Sequence, residues 1–347
     1  MGIFKHIGQY FLIISILLLG SCKIHNNVVE RGFYFWKTTY SLSQSEAIRL
    51  HKLNITKIYL RLFDVDWDKV TNSAIPAGEI KFDQKPDSIF AIIPVAFITN
   101  RTLLNLNIND SPLLADKIFS KINQIMKFNN IPFRELQLDC DWTESTRLKY
   151  FSIIKFMRGK LSKENKIISA TIRLHQIKYP EHTGIPPVDR GMLMFYNMGK
   201  IDAGDNKNSI YNKNDALHYV SFVKNYPLNL DVVLPLFGWI VHIRDNKVVE
   251  LINGQLVNEL NADKKFNQWG KNSYISNNSF FLHGYYFMKG DILKVENAGI
   301  GLCREAADLV SQNLKNANRT ISIFDYDSLK ISKYNEKDFN KIFSLFN

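Results

Sequence analysis

The chain has 347 residues, 46% of them hydrophobic and 22% charged, enough for one large domain of about 250–300 residues or two smaller ones. Its formal charge of +11 suits an anionic surface or ligand, but the lysines are scattered and come with many asparagines. No Arg-rich helix or aromatic-interleaved basic stripe is present, so nucleic acid is not expected as a partner, and a solvated basic surface is the plainer reading.

The N-terminus carries its own signal. Lys5 and His6 precede a short apolar run over residues 10–19, followed by Gly20-Ser21-Cys22. A cysteine directly after Leu-Gly-Ser resembles a bacterial lipobox. That resemblance implies removal of residues 1–21 as a lipoprotein signal peptide and lipid on the thiol and amine of Cys22. A plain membrane anchor is the alternative, but the run is short of the roughly 20 residues that span a bilayer. Residues 22–31 then serve as a tether, and a folded domain occupies 32–347. Lys23 follows the cysteine and no acidic run comes after it, which disfavours the outer face and leaves an envelope protein facing the periplasm.

From there strand and helix alternate. Strand one is expected over residues 32–36 and its helix over 43–53. Strand two spans 57–63 and ends at Asp64 and Asp66; strand three, 90–97, is a continuous apolar run of the kind parallel strands covered on both faces show. The helix over 114–128 places Leu114, Ile118, Ile122 and Ile125 at helical spacing. Strand four, 136–140, runs into a helix at about 145–161, which Thr143 or Ser145 can cap, with Leu148, Phe151, Ile154 and Met157 on one stripe. Strand five is expected over 167–175, strand six over 191–197, a helix over 215–224, strand seven over 230–239, a helix over 302–314, strand eight over 320–327 and a closing helix over 337–346.

Eight such units predict an α/β fold, a (β/α)8 TIM barrel. The alternation breaks between about 240 and 299. Residues 241–243 and 248–252 flank an Asp245-Asn246 turn, and 280–288 and 292–295 flank Lys289-Gly290-Asp291. These are two hairpin signals of a small β-rich insertion after strand seven, with 261–279 as an irregular polar loop. Cys140 and Cys303 fit no CxxC or metal spacing and are expected as buried free thiols too far apart to bridge.

Strand four carries the chemistry. Gln137, Asp139 and Asp141 share one face, and Leu136, Leu138 and Cys140 the other. In a parallel barrel the C-terminal strand ends open into the site, so two carboxylates there, with Glu144 close behind, are candidates for acid–base work. The other strand ends bring Trp36 and Lys37, Arg61, Arg173 and His175, Tyr196 and Asn197, Trp239, and Asp325 and Asp327. Aromatic faces among carboxylates and amides suit a sugar. Each has a plainer alternative: Arg61 and Arg173 neutralising the two acids, His175 in a structural hydrogen bond, the tryptophans as packing. Asp139, Asp141 and His175 have ligand chemistry but lack an HExxH-like spacing, so neither metal nor cofactor is expected.

The chain resembles the glycoside hydrolase family 18 superfamily, the chitinase-like barrels, over about residues 33–347. Asp139 and Asp141 match the last two acids of that family's fourth-strand series. Met194-Phe-Tyr196-Asn197 stands where the family has Met-x-Tyr-Asp, Leu234-Pro-Leu-Phe-Gly238 falls on the seventh strand, and Phe324-Asp-Tyr-Asp327 on the eighth. An insertion after strand seven also resembles the family. The chain is similar, too, to barrel lipoproteins of bacterial envelopes with no settled activity. The family's proton donor would fall at Thr143, which cannot protonate a glycosidic oxygen usefully. Glu144 is one position late, on the other strand face unless a bulge intervenes. The expectation is a monomeric, lipid-anchored envelope protein whose glycoside-hydrolase-like barrel acts on or binds a glycan. If it hydrolyses, Asp141 or Glu144 is the acid and Asp139 positions it, with Tyr196, Asn197 and Trp239 holding the sugar. The alternative is a non-catalytic glycan-binding or scaffold lipoprotein that has lost the acid.

Overall fold

A computed structural model describes residues 29–204, 207–262, 264–315 and 318–347. Cys22 and the segment expected to be cleaved lie outside the described residues. Eight parallel strands form the barrel: β1 (Val29–Phe35), β2 (Ile55–Asp68), β3 (Ala91–Ile98), β4 (Glu135–Cys140), β5 (Ile167–Ile172), β6 (Arg190–Met194), β7 (Leu230–Pro235) and β8 (Arg319–Phe324). Each pairs with its sequence neighbour, and β8 returns to β1 and closes the ring. Gly32 marks the tight closure, because a Cβ there would stand 2.5 Å from the Ser322 hydroxyl. Helices Gln44–Lys52, Ser111–Phe128, Arg147–Ser162, Lys213–Val223 and Ile300–Ser311 cover the outside. No helix among the described residues is long and apolar enough to cross a membrane.

Strand alternation produces two concentric cores. Leu136, Leu138 and Cys140 of β4 point outward into the layer between sheet and helices. Tyr34, Tyr59, Val95, Met192, Met194 and Tyr196 fill the inside. Burying one such large side chain contributes about 1.5–3 kcal/mol, so both cores are needed to offset the entropy of ordering the chain. Cys140 and Cys303 are both fully buried free thiols. Burial pushes both thiols above their ordinary range, leaving neither thiolate nor access for attack. A maleimide reagent is therefore expected to leave both unmodified in the native protein and to label both in denaturant; labelling of either in the native state would contradict this packing.

Several boundaries differ from the expectation. Strand one begins at Val29, inside the stretch assigned to the tether. Strand two runs on to Asp68, carrying Asp64 and Asp66 within it, because an antiparallel strand, Ser73–Ala77, pairs with its far end. The helix after β4 starts at Arg147 with Thr146 at its cap, so Leu148 falls on the solvent side and Tyr150, Ile153, Ile154, Met157 and Leu161 form the buried stripe. β5 stops at Ile172, since the Arg173 amide donates to the Gln176 side chain (2.7 Å) and opens the short helix Leu174–Lys178. β7 stops at Pro235, so Trp239 belongs to the first strand of the insertion, Gly238–Arg244.

Within the insertion, Gly238–Arg244 and Lys247–Asn253 form the expected hairpin, with Asp245 and Asn246 both at positive φ. The second expected hairpin does not form. Ile292–Asn297 pairs instead with Gly238–Arg244 and Ser273–Ser276, while Phe280–Leu282 folds onto Tyr285–Phe287. The region expected as irregular holds the hairpin Phe266–Gly270/Ser273–Ser276. Phe266, Phe287, Leu293, Ile240 and Ile252 give the insertion its own core. That core needed partners distant in sequence, which local turn chemistry does not reveal.

Candidate functional site

The inner faces of β4 and β5 form a polar ladder. Alternation aims Gln137, Asp139 and Asp141 inward from β4, and Ser169, Thr171 and Arg173 inward from β5, with Gln137 opposite Ser169 in register. At the lowest rung Gln137 donates to Ser169 (3.2 Å) and accepts from the Tyr34 hydroxyl (2.5 Å), and Ser169 donates to Glu135 (2.6 Å). One rung up, the Thr171 hydroxyl donates to Asp139 (2.5 Å). At the rim Arg173 spans both acids, Nε to Asp141 and Nη2 to Asp139 (3.3 Å).

This arrangement follows from charge. Two acids two residues apart on one face repel, and burial strengthens the repulsion, so a shared cation relieves it. Asp139 is 3% exposed. Burial raises its proton affinity; Arg173 opposes that and Asp141 adds to it. For Arg173 itself burial acts downward, but the two carboxylates outweigh it and hold the guanidinium firmly charged. Tyr196 is buried beside this cluster, which pushes its phenol up.

The remaining candidates divide. Arg61 does not reach Asp139 or Asp141: it pairs with Asp64 (2.7 Å) and the Gly78 carbonyl (3.0 Å). His175 lies exposed on the short helix after β5, and Asn197 is exposed at φ +55°, its backbone N–H donating to the Ile210 carbonyl (2.7 Å). Glu144 stands outside the cluster, in an exposed turn where it faces His182 (3.4 Å). The bulge that would bring it inward is absent. Trp142 is buried outward against Tyr150 (centroids 5.0 Å) and donates to the Thr183 carbonyl (2.9 Å); the strand has ended at Cys140, and residues 144–146 form the turn into the next helix, which leaves Glu144 on the surface. Among the described residues no three His, Cys, Asp or Glu side chains gather as a metal site.

A second group surrounds a cavity of about 450 Å³ at the same mouth, lined by Trp36, Lys37, Phe237, Trp239, Phe324 and Asp325 among others. Phe324, at the end of β8, is the hub, with Trp36 at 5.8 Å, Tyr196 at 5.4 Å and Phe237 at 5.3 Å. Trp239 packs on Phe237 (5.5 Å), and its indole N–H donates to buried Glu296 (3.0 Å), which fixes the ring. Burial raises the Asp325 carboxyl, against the pull of Lys330 and Lys37. Asp327 also lines this cavity, and it caps Ser328–Ile331 through the amides of Leu329 (2.9 Å) and Lys330 (3.2 Å). A larger cavity, about 730 Å³, opens at the opposite end beside Lys57, Arg134, Glu135 and Arg190. Parallel barrels work at their C-terminal mouth, and the acids and aromatics gather there, so the smaller cavity is the candidate. Sequence reasoning missed Thr171, Phe237 and Phe324. Thr171 was findable, because it sits two residues before Arg173 on the same strand face.

No family model matches the chain and no curated protein matches it. Solved structures do. The spore cortex-lytic enzyme SleL of Bacillus megaterium aligns with 93% of this chain and 75% of its own at 15% identity and TM-score 0.54. A chitinase from Chromobacterium violaceum aligns with 91% of this chain and 97% of its own at 10% identity and TM-score 0.51. The chitinase-like agglutinin RobpsCRA of Robinia pseudoacacia aligns with 91% and 99% at 13% identity and TM-score 0.52. At such identities the likeness is one of fold: a chitinase-like (β/α)8 barrel with an insertion after its seventh strand.

Proposed function

We propose that this barrel binds a glycan at its C-terminal mouth and does not cleave it. The observation that carries this reading is the Arg173 bridge: one guanidinium spans Asp139 and Asp141, so both carboxylates are held in ion pairs rather than aimed free at a glycosidic oxygen. Thr143 stands in the donor's place, and Glu144 turns to His182. Trp36, Trp239 and Phe324 around the mouth cavity supply the flat apolar faces on which a sugar ring stacks, and Lys37 and Asp325 supply hydroxyl partners. A second reading, a glycosidase using Asp139 as acid, draws on one observation: burial raises that carboxyl's proton affinity.

The envelope assignment belongs to the same proposal. The lipobox-like Leu19-Gly-Ser-Cys22 supports a lipid anchor on Cys22 and a periplasm-facing barrel; a diacylated or triacylated N-terminal peptide, sought by mass spectrometry, tests it. The binding proposal is tested by titrating the protein with a panel of soluble oligosaccharides, N-acetylated β-linked oligomers and cell-wall fragments included. Saturable heat or fluorescence change with at least one member supports it, and no binding across the panel counts against it.

A further inference from the structure

The barrel is electrically lopsided along its axis. At the mouth the acids largely have partners, Asp64 with Arg61, Asp66 with Arg101, and Asp139 and Asp141 with Arg173, and Glu144, Asp325 and Asp327 also lie at or beyond C-terminal strand ends. The other end, where the outer helices finish and the strands begin, carries Lys52, Lys127, Arg134, Lys163, Lys224 and Lys315. All six are exposed, and none joins an ion pair among the described residues. Most acids on that end are engaged, Glu164 with Lys166 (2.7 Å), Asp189 with Arg158 (2.7 Å), Glu30 with Lys57 (2.6 Å) and Asp231 with Arg190 (3.0 Å), and the six cations outnumber the exposed Asp87 and Asp308. Cations at helix C-termini complement the helix dipole, and that alone accounts for some of them. It does not account for Arg134, which follows a loop, or for the bare apolar side chain beside Lys127, where Phe128 is 85% exposed.

The chain also enters at this end. Val29 opens β1 at the base and lies only seven positions after Cys22. Seven residues reach about 25 Å at most. A lipid on Cys22 therefore holds the basic end within that distance of a bilayer. We infer that the base of the barrel is a docking face for an anionic phospholipid surface, so that the protein stands with its mouth turned away from the membrane. Six unneutralised cations supply long-range attraction, and Phe128 supplies an apolar contact at headgroup depth. The inference rests on the envelope reading, and it adds the orientation and the lipid charge.

The test uses the full chain purified from membranes and reconstituted into vesicles of phosphatidylethanolamine with phosphatidylglycerol, or of phosphatidylcholine alone. A fluorophore is placed at Asn130→Cys on the base or at Asn109→Cys near the mouth, the buried native thiols Cys140 and Cys303 staying unlabelled. A headgroup-borne quencher is expected to reach the base label and not the mouth label in the anionic vesicles. Joint reversal by Lys127→Glu, Lys163→Glu, Lys224→Glu and Lys315→Glu, all exposed positions, should weaken that quenching about tenfold or more, as should phosphatidylcholine or high salt. Equal quenching of both labels, or quenching insensitive to lipid charge, overturns the inference. Mass spectrometry of Cys22 on the same sample separates the two readings. An acylated protein whose base label stays unquenched refutes the orientation alone. An unacylated protein with base-side quenching refutes the anchor and upholds the docking face.

Discussion

Replacing Arg173 with methionine is expected to cost about 3–5 kcal/mol of stability near neutral pH, the penalty of stranding a buried charge without its partner. Asp139 bears it, because Asp141 is half in water while Asp139 is enclosed by Thr171, Tyr196 and the strands. The pH dependence follows from the sign of the shift. Asp139 already holds its proton more tightly folded than unfolded, through burial, with Arg173 pulling the other way. Removing Arg173 widens that gap. The folded variant then binds more protons than the unfolded chain between the ordinary carboxylate value and the raised one. Its stability should fall as pH rises through that window and recover in mild acid. Urea unfolding of the wild type, Arg173→Met and the double variant Asp139→Asn/Arg173→Met checks this. The double variant should regain much of the loss, and an Arg173→Met protein as stable as wild type at neutral pH would mean that the bridge does not carry the charge balance of the mouth.

The second large effect concerns the aromatic wall. Trp36→Ala and Trp239→Ala are each expected to weaken glycan binding by about 2 kcal/mol or more, roughly thirtyfold, since aromatic anchors dominate such interfaces. Trp239→Phe should retain much of the affinity: it keeps a ring on Phe237 and loses the indole donation to Glu296. Phe128→Ala, at the far end of the barrel, serves as a control and should leave affinity unchanged. Calorimetric titration of the four variants reads all of this directly, and tryptophan variants that bind like wild type would move the site elsewhere.

The barrel was legible because its signals are local. Period-two alternation set the inner and outer faces of β4 from Leu136 to Asp141, and helical spacing in Ser111–Phe128 marked the outer layer. The Arg173 bridge was half legible: an arginine partner was expected, but the sequence alone did not distinguish it from Arg61. Arg61 follows a different fate because β2 runs long, which places Asp64 beside it. The position of Glu144 turned on where β4 ends and on the turn over residues 144–146, beside a Trp142 held by Tyr150 and Thr183, contacts that only the folded loop makes. The insertion was least legible, because strand Ile292–Asn297 chooses its partners across the whole segment.

The most direct test of a barrel that holds a glycan without cutting it follows binding and bond cleavage in one sample. An oligosaccharide that saturates the protein by calorimetry is incubated at saturating concentration, and the recovered sugar is weighed by mass spectrometry, alongside Asp139→Asn, Asp141→Asn and Glu144→Gln. The expected result is sugar of unchanged mass for every protein, with binding altered most in the two variants that disturb the Arg173 bridge. Shortened sugar from the wild type, abolished by Asp139→Asn, would contradict it and establish Asp139 as the acid of a working glycosidase.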